Sequence, residues 1–490
     1  MEDLRRSYDK LPYPDLPKPY AHISRTAAVA RLHGLQPPSP AACRVLELGC
    51  ADGGNLLPMA CQFPHSQFMG VDFSPVQIAI GRKRVEELSL PNLSLTEANI
   101  LNLRERDFAR FDYIIVHGVY SWVPAAVQKE IMAICRDFLS EDGLAYISYN
   151  TQPGWRGKQA LREILRFHTR HIEDIKEKAE AAIALVAAMP DTRESPGDPG
   201  AIWVQRLQNE LRHMDDPRAY LVHEYLIDGN KPLYFREFLQ RAESHELRYV
   251  DDAFPGSTSL ERLSPKGRAW LATNIVDYAD QQQYIDFFCN VAFRRSLLCR
   301  CEKQPDRTVC FDRLEPLYAT ATCRRSESKE EQGCFVTHAG RRFHTDHEGL
   351  NRILACLIDA SPASVSIHQL RTLLGQNVTD PEAGQVFDDL LRGAALEVTV
   401  NPRECIRDPG PRPYASRLVR YQSAGGMVTS AAHRPVRLEN PFERYLLGLL
   451  DGTRTVAEII PKMRKKLRPS SPIEDDRWNQ LVEEHLIRLS

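Results

Sequence analysis

The stretch VLELGCADGGNLL, from Val45 to Leu57, decides the fold. Its apolar first half is typical of a buried strand, and Gly49 and Gly53 allow a sharp turn and a close approach of a ligand to the backbone. Apolar residues then recur at helical spacing. A second apolar run ends at Asp72, 23 residues after Gly49, where an acidic side chain can accept hydrogen bonds from both ribose hydroxyls of an adenosine cofactor. This order of strand, turn, helix, strand and acid predicts an adenosine-binding Rossmann-like unit.

The turn itself narrows the choice of cofactor. It reads Gly49-Cys50-Ala51-Asp52-Gly53-Gly54, so the second glycine of the G-x-G-x-x-G dinucleotide pattern is absent, and no P-loop motif occurs. The carboxylate of Glu47, in the strand before the turn, would repel a phosphate. S-adenosylmethionine has no phosphate and carries an ammonium, a sulfonium and a carboxylate, so it suits this site. The sequence predicts S-adenosylmethionine, with a nicotinamide or flavin dinucleotide as the alternative. No metal site is predicted, because the 12 cysteines include no C-x-x-C pair.

Several segments resemble the motifs of class I methyltransferases, namely VLELGCADGGNLLPMA, GVDFS, FDYIIVHGVYSWVP and LAYISYNTQPGW. The segment from Tyr220 to Ala242, YLVHEYLIDGNKPLYFREFLQRA, resembles the signature of the bacterial family that carries a methyltransferase regulatory domain. The resemblance covers residues 1–300 well, and the family includes bacterial lysine methyltransferases that act on outer-membrane proteins. It implies an S-adenosylmethionine-dependent methyltransferase with a seven-stranded core and a protein acceptor, with lysine as the favoured side chain.

The pattern along the chain predicts an α/β fold with a Rossmann-like seven-stranded core, a helical insertion and C-terminal winged-helix-like modules. Alternating strands and helices from Cys43 to about Asn150 supply five parallel strands. The two missing strands are assigned to Leu247–Val250 and Ala292–Leu298, so that the regulatory segment completes the sheet. The predicted units are the N-terminal cap and cofactor-binding core at 1–155, a helical insertion at 156–215, the regulatory segment at 216–302, a linker at 303–330, a winged-helix-like module at 331–408 and a helical module at 409–490.

The C-terminal modules carry no recognisable cofactor or catalytic motif. Three helices near residues 349–360, 366–374 and 380–391, followed by a strand, favour a winged-helix-like module. The third helix would repel the phosphates of DNA, because its acidic residues outnumber Arg392; they are Asp380, Glu382, Asp388 and Asp389. We therefore expect these modules to select or position a protein acceptor, or to mediate self-association, and to make no contact with the cofactor.

Composition indicates a cytoplasmic enzyme. The formal net charge of −2 argues against a dedicated nucleic-acid binder. The N-terminal sequence MEDLRRSYDK lacks the apolar segment of a secretory signal, and no apolar run approaches the ~20 residues of a membrane span. Scattered cysteines suit reduced thiols. We expect a protein acceptor as partner, no nucleic acid and no membrane insertion, and homodimerisation stays open.

The family resemblance places the cofactor contacts near the carboxyl ends of the strands. Tyr8 and Tyr13 resemble the N-terminal cap that closes over the cofactor, with ordinary packing as the alternative. Asn99 stands where many relatives place an acidic residue that contacts the adenine amino group, and its amide oxygen can accept the same bond. His223 and Glu224 could reach the site or serve as structural helix contacts. The predicted cofactor-binding set is Tyr8, Tyr13, Glu47, Gly49, Gly53, Asn55, Asp72, Phe73, Asn99, Ile100, His117 and Gly118.

The predicted catalytic residues follow the fourth and fifth strands. Tyr120 and Trp122 could wall the acceptor channel, because aromatic faces suit a sulfonium and a methylated ammonium, or they could belong to the core. Tyr149 and Asn150 offer oxygens that can orient an amine. A lysine acceptor must be neutral to react, and an apolar aromatic pocket lowers the pKa of an amine.

Two other functions remain open from the sequence. The first is a small-molecule methyltransferase whose C-terminal modules serve dimerisation. The second is a non-catalytic partner protein that keeps the cofactor as a structural element. The intact set of Glu47, Gly49 and Asp72 argues against the second.

Overall fold

The computed structural model describes residues 5, 8–12, 15–189, 199–212, 214, 216–326, 333–338, 340–403, 405, 409–467, 480–482 and 484–486. Parts of the sequence predictions lie outside these residues, including the cap residue Tyr13, residues 190–198 of the predicted helical insertion, and residues 327–332 at the end of the predicted linker and the start of the predicted winged-helix-like module. No helix in the described ranges is long and apolar enough to cross a bilayer.

The core is a seven-stranded sheet with the order β3-β2-β1-β4-β5-β7-β6. The strands are β1 Arg44–Leu48, β2 Gln67–Asp72, β3 Leu93–Glu97, β4 Phe111–Val116, β5 Leu139–Asn150, β6 Leu247–Asp252 and β7 Phe293–Arg300. The first five strands are parallel, whereas β7 runs antiparallel to both β5 and β6. The predicted Rossmann-like α/β core is confirmed, and strands are present at both places assigned to the missing pair. The helices of this half are α1 Ile23–Leu32, α2 Leu56–Gln62, α3 Pro75–Leu88 and α4 Ala125–Phe138.

The strand order places the site at the carboxyl ends of the strands, near the middle of the sheet. Strand β1 pairs with β2 on one side and with β4 on the other. Ligands of open α/β sheets bind at such a switch point, beyond the carboxyl ends of the strands. Helix α3 begins immediately after β2 because the Ser74 side chain accepts a hydrogen bond from the Gln77 N–H and Pro75 occupies the first helical position. This cap fixes the chain directly after Asp72.

The insertion and the regulatory segment are mainly helical. Their helices are α5 Arg156–His168, α6 Ile175–Ala188, α7 Pro199–Arg212, α8 Arg218–Leu221, a π-helical turn Val222–Leu226, α9 Phe235–Glu243, α10 Pro265–Asn274 and α11 Tyr278–Cys289. The buried Arg294 of β7 pairs with Asp252 of β6 at 3.3 Å and with Asp286 of α11 at 3.0 Å. This buried ion cluster ties the last two strands to the helical layer.

The C-terminal part contains two further units. The first holds α12 Phe311–Leu314, β8 Tyr318–Ala321, β9 Cys323–Arg325, β10 Cys334–Thr337, β11 Arg342–His344, α13 Glu348–Ala360, β12 Val365–Ser366, α14 Ile367–Arg371, α15 Asp380–Arg392 and β13 Leu396–Thr399. The second holds α16 Arg417–Ser423, β14 Met427–Thr429, β15 Pro435–Arg437, α17 Pro441–Leu449 and α18 Val456–Leu467. Short 3-10 helices occur at Pro19–Ala21, Ile100–Glu105, Pro255–Ser257, Leu260–Arg262 and Thr372–Leu374.

The stretch predicted as a linker at 303–330 carries regular structure. Strand β8 is the central strand of a three-stranded sheet, between β12 and β13. Phe311 and Leu314 are buried in the core of the same unit. These elements are short and flanked by charged residues, so the local pattern did not predict them. We propose that the middle module begins at about residue 311.

Candidate active site

A cavity of about 430 Å³ lies at the carboxyl ends of β1, β2 and β4. The N-terminal segment, the start of α5 and the π-helical turn of the regulatory segment complete its walls. The cavity therefore lies at the switch point of the sheet. Of the residues predicted from the sequence, those that line it are Tyr8, Gly49, Asp72, Phe73, Asn99, Ile100, His117, Gly118, Trp122 and Asn150.

Two glycines shape the cavity floor. Gly49 has φ +75°, and a Cβ atom there would lie 2.4 Å from Cγ2 of Val119, so no side chain fits. Gly118 has φ +70°, and a Cβ atom there would meet no atom within 4 Å. Since Gly118 lines the cavity, its missing side chain leaves room for a ligand against the backbone.

Asp72 ends β2 with both carboxylate oxygens engaged by the backbone. Oδ2 accepts a hydrogen bond from the Ala51 N–H at 2.9 Å, and Oδ1 accepts one from the Ser74 N–H at 2.8 Å. Burial raises the pKa of the Asp72 carboxyl, whereas the hydrogen bonds from the Ala51 and Ser74 N–H groups lower it. Each oxygen can accept a further hydrogen bond. Asp72 is therefore rigidly held and can receive two donors from a ligand.

Glu47, Gly53 and Asn55 lie behind the cavity lining. Glu47 is buried, and its Oε1 accepts a hydrogen bond from Asn55 Nδ2 at 2.9 Å. Burial and the charge of Asp15 raise the pKa of the Glu47 carboxyl to about 8. A Cβ atom at Gly53 would lie 3.1 Å from Cδ1 of Leu95, so this glycine allows the turn to pack on β3. These three residues support the turn from beneath.

The carboxyls in and behind the cavity lining fit S-adenosylmethionine. Asp72 offers acceptors for ribose hydroxyls, and Asp15 adds a second carboxyl to the lining. Burial raises the pKa of the Asp15 carboxyl. Oε2 of Glu47 is buried and has no hydrogen-bond partner among the described residues, so it can receive a donor or a positive charge. The space in front of Gly118 admits a ligand against the backbone. Carboxyls with no phosphate-binding loop suit a cationic, phosphate-free cofactor.

Tyr120 and Tyr149 lie in the core, outside the cavity lining. Tyr149 stacks on Phe238 with ring centroids 4.0 Å apart, and its hydroxyl makes a hydrogen bond of 3.2 Å with the Ser296 hydroxyl. Tyr120 is fully buried and packs edge-on against Phe238. The structure therefore separates the four predicted catalytic residues, because Trp122 and Asn150 alone of these four line the cavity.

Several lining residues were not predicted from the sequence. The N-terminal segment contributes Asp15 and Lys18, and the start of α5 contributes Trp155 and Lys158. Tyr220, at the beginning of the regulatory signature, also lines the cavity. Trp155 ends the segment LAYISYNTQPGW and Tyr220 begins the regulatory signature, so both aromatic residues stood in recognised segments. Asp15, Lys18 and Lys158 carried no such signal.

The π-helical turn brings the regulatory segment to the cavity. His223 and Glu224 both line it, so both reach the site. The His223 ring stacks on Tyr8 with centroids 4.0 Å apart, and its Nε2 donates a hydrogen bond to the Leu11 carbonyl oxygen at 2.7 Å. Burial lowers the pKa of His223 to about 4, so the ring is neutral at physiological pH. The N-terminal segment is thus held over the cavity by the regulatory segment.

The buried Glu47 carboxyl gives a pH-dependent prediction. We expect Glu47→Gln to stabilise the cofactor-free protein, and by more at pH 8 than at pH 5. With a folded-state pKa of about 8, the folded chain keeps a proton that the unfolded chain releases at about pH 4.5. The stability of the wild type therefore falls as the pH rises between these values, and glutamine removes this dependence. Thermal denaturation at pH 5 and pH 8 measures the effect.

The matched control for this substitution is Glu97→Gln, which changes an exposed carboxylate at the end of β3. We expect the melting temperature of this variant to follow the wild type at both pH values. A Glu47→Gln protein that differs from the wild type by the same amount at pH 5 and pH 8 would contradict the prediction.

Three family models match parts of the chain. The model "Methyltransferase domain" matches residues 46–145, and "Predicted methyltransferase regulatory domain" matches residues 217–300. The model "PKMT, C-terminal winged helix domain" matches residues 411–475. This third match falls in the module that the sequence pattern had predicted as helical, where the structure places the β14–β15 hairpin between helices.

Individual proteins are also similar to this chain over half of its length or more. The uncharacterized protein RP028 of Rickettsia prowazekii is 35% identical over 244 residues, which cover 50% of this chain and 96% of that protein. RP789 of the same organism is 29% identical over 92% of this chain and 84% of its own length. The structure of PKMT2 from Rickettsia typhi in complex with AdoHcy has a TM-score of 0.82 and 25% identity, with 98% of each chain covered.

The fold, the cavity and these matches define an S-adenosylmethionine-dependent methyltransferase, as the sequence predicted. Its cofactor is S-adenosylmethionine, since the residues present fit it and a similar structure contains AdoHcy. The chain belongs to the class I methyltransferases that carry the methyltransferase regulatory domain.

Proposed function

We propose that this enzyme methylates lysine side chains of a protein acceptor. The observation that carries the proposal is the aromatic end of the cavity, which Trp122, Trp155 and Tyr220 line. The chain's own Lys158 lies there, with Nζ 5.1 Å from the Trp155 ring centroid and 3.5 Å from the Tyr220 hydroxyl. A surface that accommodates one lysine side chain suits another from an acceptor protein.

The comparisons support a protein acceptor. The similar structure PKMT2 matches almost the full length of the chain, and the winged-helix model carries the same PKMT designation. The resemblance to bacterial lysine methyltransferases of outer-membrane proteins points to the same acceptor class. The proposal places the reaction in the cytoplasm, where S-adenosylmethionine and newly made proteins meet.

The proposed cofactor contacts come from the lining and from Glu47, which lies behind it. Asp72 would bind the two ribose hydroxyls, and Asn99 would accept a hydrogen bond from the adenine amino group. Asp15 and Glu47 would hold the ammonium, since both carboxyls lie near the turn. The remaining predicted contacts in the lining would enclose the cofactor by packing or backbone contact; they are Tyr8, Gly49, Phe73, Ile100, His117 and Gly118.

The acceptor end would bind the amine and make it neutral. When bound, S-adenosylmethionine supplies a methyl group on a sulfonium, which a nucleophile displaces in line. Trp122 and Trp155 would hold the alkyl chain, and the nearby positive charge of Lys158 would lower the pKa of the amine. Burial raises the pKa of the Glu224 carboxyl, which suits it to accept the proton that the acceptor ammonium loses. Asn150 would orient the amine through its amide oxygen.

A labelling experiment tests the proposal. The full-length enzyme is incubated with S-adenosylmethionine carrying a radioactive methyl group and a bacterial lysate, and labelled proteins are hydrolysed for amino-acid analysis. We expect label in protein bands and its recovery as methylated lysine. Label confined to the low-mass fraction would instead support a small-molecule acceptor, and label in another amino acid would contradict the lysine assignment. The Asp72→Ala variant provides the background.

A substitution in the aromatic end separates acceptor binding from cofactor binding. We expect Trp155→Leu to lower kcat/KM for the labelled protein acceptor roughly tenfold, because the aromatic contact with the acceptor side chain is lost. The affinity for S-adenosylhomocysteine should stay within about twofold. Steady-state kinetics and calorimetry measure the two quantities.

The matched control is Trp270→Leu, which removes an exposed tryptophan that lies outside the cavity lining. This variant should keep the kinetics of the wild type. Unchanged acceptor kinetics in Trp155→Leu would exclude Trp155 from the acceptor site.

A further inference from the structure

The C-terminal module reaches the turn beneath the cofactor cavity. His433 lies between β14 and β15, within the segment that matches the winged-helix model, and is buried. Its Nε2 donates a hydrogen bond to Oδ1 of Asn55 at 2.9 Å. Asn55 follows directly after the two glycines of the turn. Residues 378 positions apart in sequence are thus joined by a buried hydrogen bond.

Asn55 connects several parts of the site. Its Oδ1 also accepts a hydrogen bond from the Lys18 backbone N–H at 2.9 Å, and its Nδ2 donates to Oε1 of Glu47 at 2.9 Å. Its own backbone N–H donates to Oδ2 of Asp15 at 3.3 Å. Asp15 and Lys18 line the cavity. One amide side chain therefore positions the N-terminal segment and the buried carboxyl together.

The contact from His433 fixes the direction of this amide. The oxygen and nitrogen ends of an asparagine amide have nearly the same shape, so hydrogen bonds decide its orientation. With two N–H donors at Oδ1, the observed orientation is favoured, and Nδ2 faces Glu47. The reversed amide would place its NH₂ group against both N–H donors, those of Lys18 and His433. Without His433, the single donor from Lys18 remains.

An ion cluster holds the C-terminal module in this place. Glu397 of β13 is buried, and its carboxylate pairs with Arg25 of α1, with Arg403 at 2.7 Å and with Arg434 at 3.2 Å. These charges hold the pKa of Glu397 well below its usual range. Arg434 is the neighbour of His433 in the chain, so the cluster anchors the segment that carries the histidine.

We propose that His433 is a positioning residue of the S-adenosylmethionine site, through which the C-terminal winged-helix module completes the cofactor-binding turn. His433 itself lies outside the cavity lining, so the expectation that the C-terminal modules make no contact with the cofactor stays a prediction. The module and the turn are energetically linked, so any partner that displaces the β14–β15 hairpin changes the affinity for the cofactor, and the cofactor changes the affinity for that partner by the same factor.

The test uses full-length variants and calorimetry with S-adenosylhomocysteine. His433→Phe keeps an aromatic ring next to His22, which lies 4.9 Å away between centroids, and removes the donor to Asn55. We expect a loss of affinity of about fivefold or more, with an unchanged melting temperature. His433→Gln should restore the affinity to within twofold of the wild type, because the amide Nε2 can donate in place of the imidazole Nε2–H.

Tyr421→Phe is the matched control. The Tyr421 hydroxyl donates a hydrogen bond to Oε2 of Glu87 in α3 at 2.6 Å, so this variant weakens the same module's contact with the core away from the turn. We expect its affinity to stay within twofold of the wild type. Wild-type affinity in His433→Phe, no rescue by His433→Gln, or an equal loss in Tyr421→Phe would each overturn the proposal. If His433→Phe does not fold, the comparison between His433→Asn, whose side chain is too short to reach Asn55, and His433→Gln decides.

Discussion

Replacing Asp72 by alanine is expected to lower the affinity for S-adenosylhomocysteine at least tenfold. The carboxylate is held by the Ala51 and Ser74 N–H groups with capacity for two further donors, and hydrogen bonds from ribose hydroxyls to a charged acceptor contribute about 1.5–3 kcal/mol each. A tenfold change corresponds to about 1.4 kcal/mol, so the loss of one such bond is sufficient. Calorimetric titration of the purified variant with S-adenosylhomocysteine measures the effect.

Asp112→Ala provides the matched control for this prediction. Asp112 also accepts a hydrogen bond from a backbone N–H of the sheet, that of Arg44 at 2.8 Å, but it lies at the opposite ends of the strands. Asp112 also accepts a hydrogen bond from the Ser140 hydroxyl at 2.8 Å, so both variants lose two structural hydrogen bonds, whereas Asp72→Ala alone loses a proposed cofactor contact. Equal affinities in Asp72→Ala and the wild type would remove Asp72 from the site. Preferential binding of NADH by the wild type would contradict the cofactor assignment.

A fragment that ends at residue 151 is expected not to fold. Strand β5 pairs with β7 from Ala145 opposite Leu298 to Asn150 opposite Phe293. Without β7, this side of β5 becomes an unpaired edge, and apolar side chains such as Tyr149, which stacks on Phe238, become exposed. We expect no cooperative thermal or chemical unfolding transition and no binding of S-adenosylhomocysteine.

A fragment that ends at residue 306 is the control, because it keeps all seven strands and the buried Arg294 ion cluster. We expect it to unfold cooperatively. Its cofactor affinity should be lower than that of the full chain, since it lacks His433. Cooperative unfolding and cofactor binding by the 1–151 fragment would show that the regulatory segment is a separate domain.

The sequence by itself determined the strands and the turn of the cofactor-binding half. Apolar residues dominate β1, β2 and β4 and alternate with polar residues in β3, and Gly49 and Asp72 directly follow apolar stretches. The sheet brings the carboxyl ends of neighbouring parallel strands together, so the cofactor-binding residues predicted at those ends lie close to one another. The last two strands could also be predicted, because each follows a helix in the chain. Their antiparallel pairings, of β7 with β5 and of β6 with β7, were decided by contacts between distant segments.

Aromatic residues show where local pattern fails. Tyr120 and Trp122 stand two positions apart, yet Tyr120 lies in the core and Trp122 in the cavity. The sequence gives both rings the same apolar character, and Phe238, more than 100 positions later, determines which of them is covered. The same argument holds for Tyr149 and its stack on Phe238.

Tertiary structure alone decided which distant segments complete the site. Asp15 precedes the first strand, Lys158 lies in the helical insertion, and His433 belongs to the last module. None of these three residues belongs to a local motif. A turn or a strand can be predicted because it is encoded by neighbouring residues whose spacing is visible in the sequence. A hydrogen bond such as that between His433 and Asn55 depends on the docking of whole modules, and that docking rests on buried contacts such as Arg25 with Glu397. The sequence therefore specified the cofactor and the reaction class, and the packing of separate modules specified how the site is closed and held.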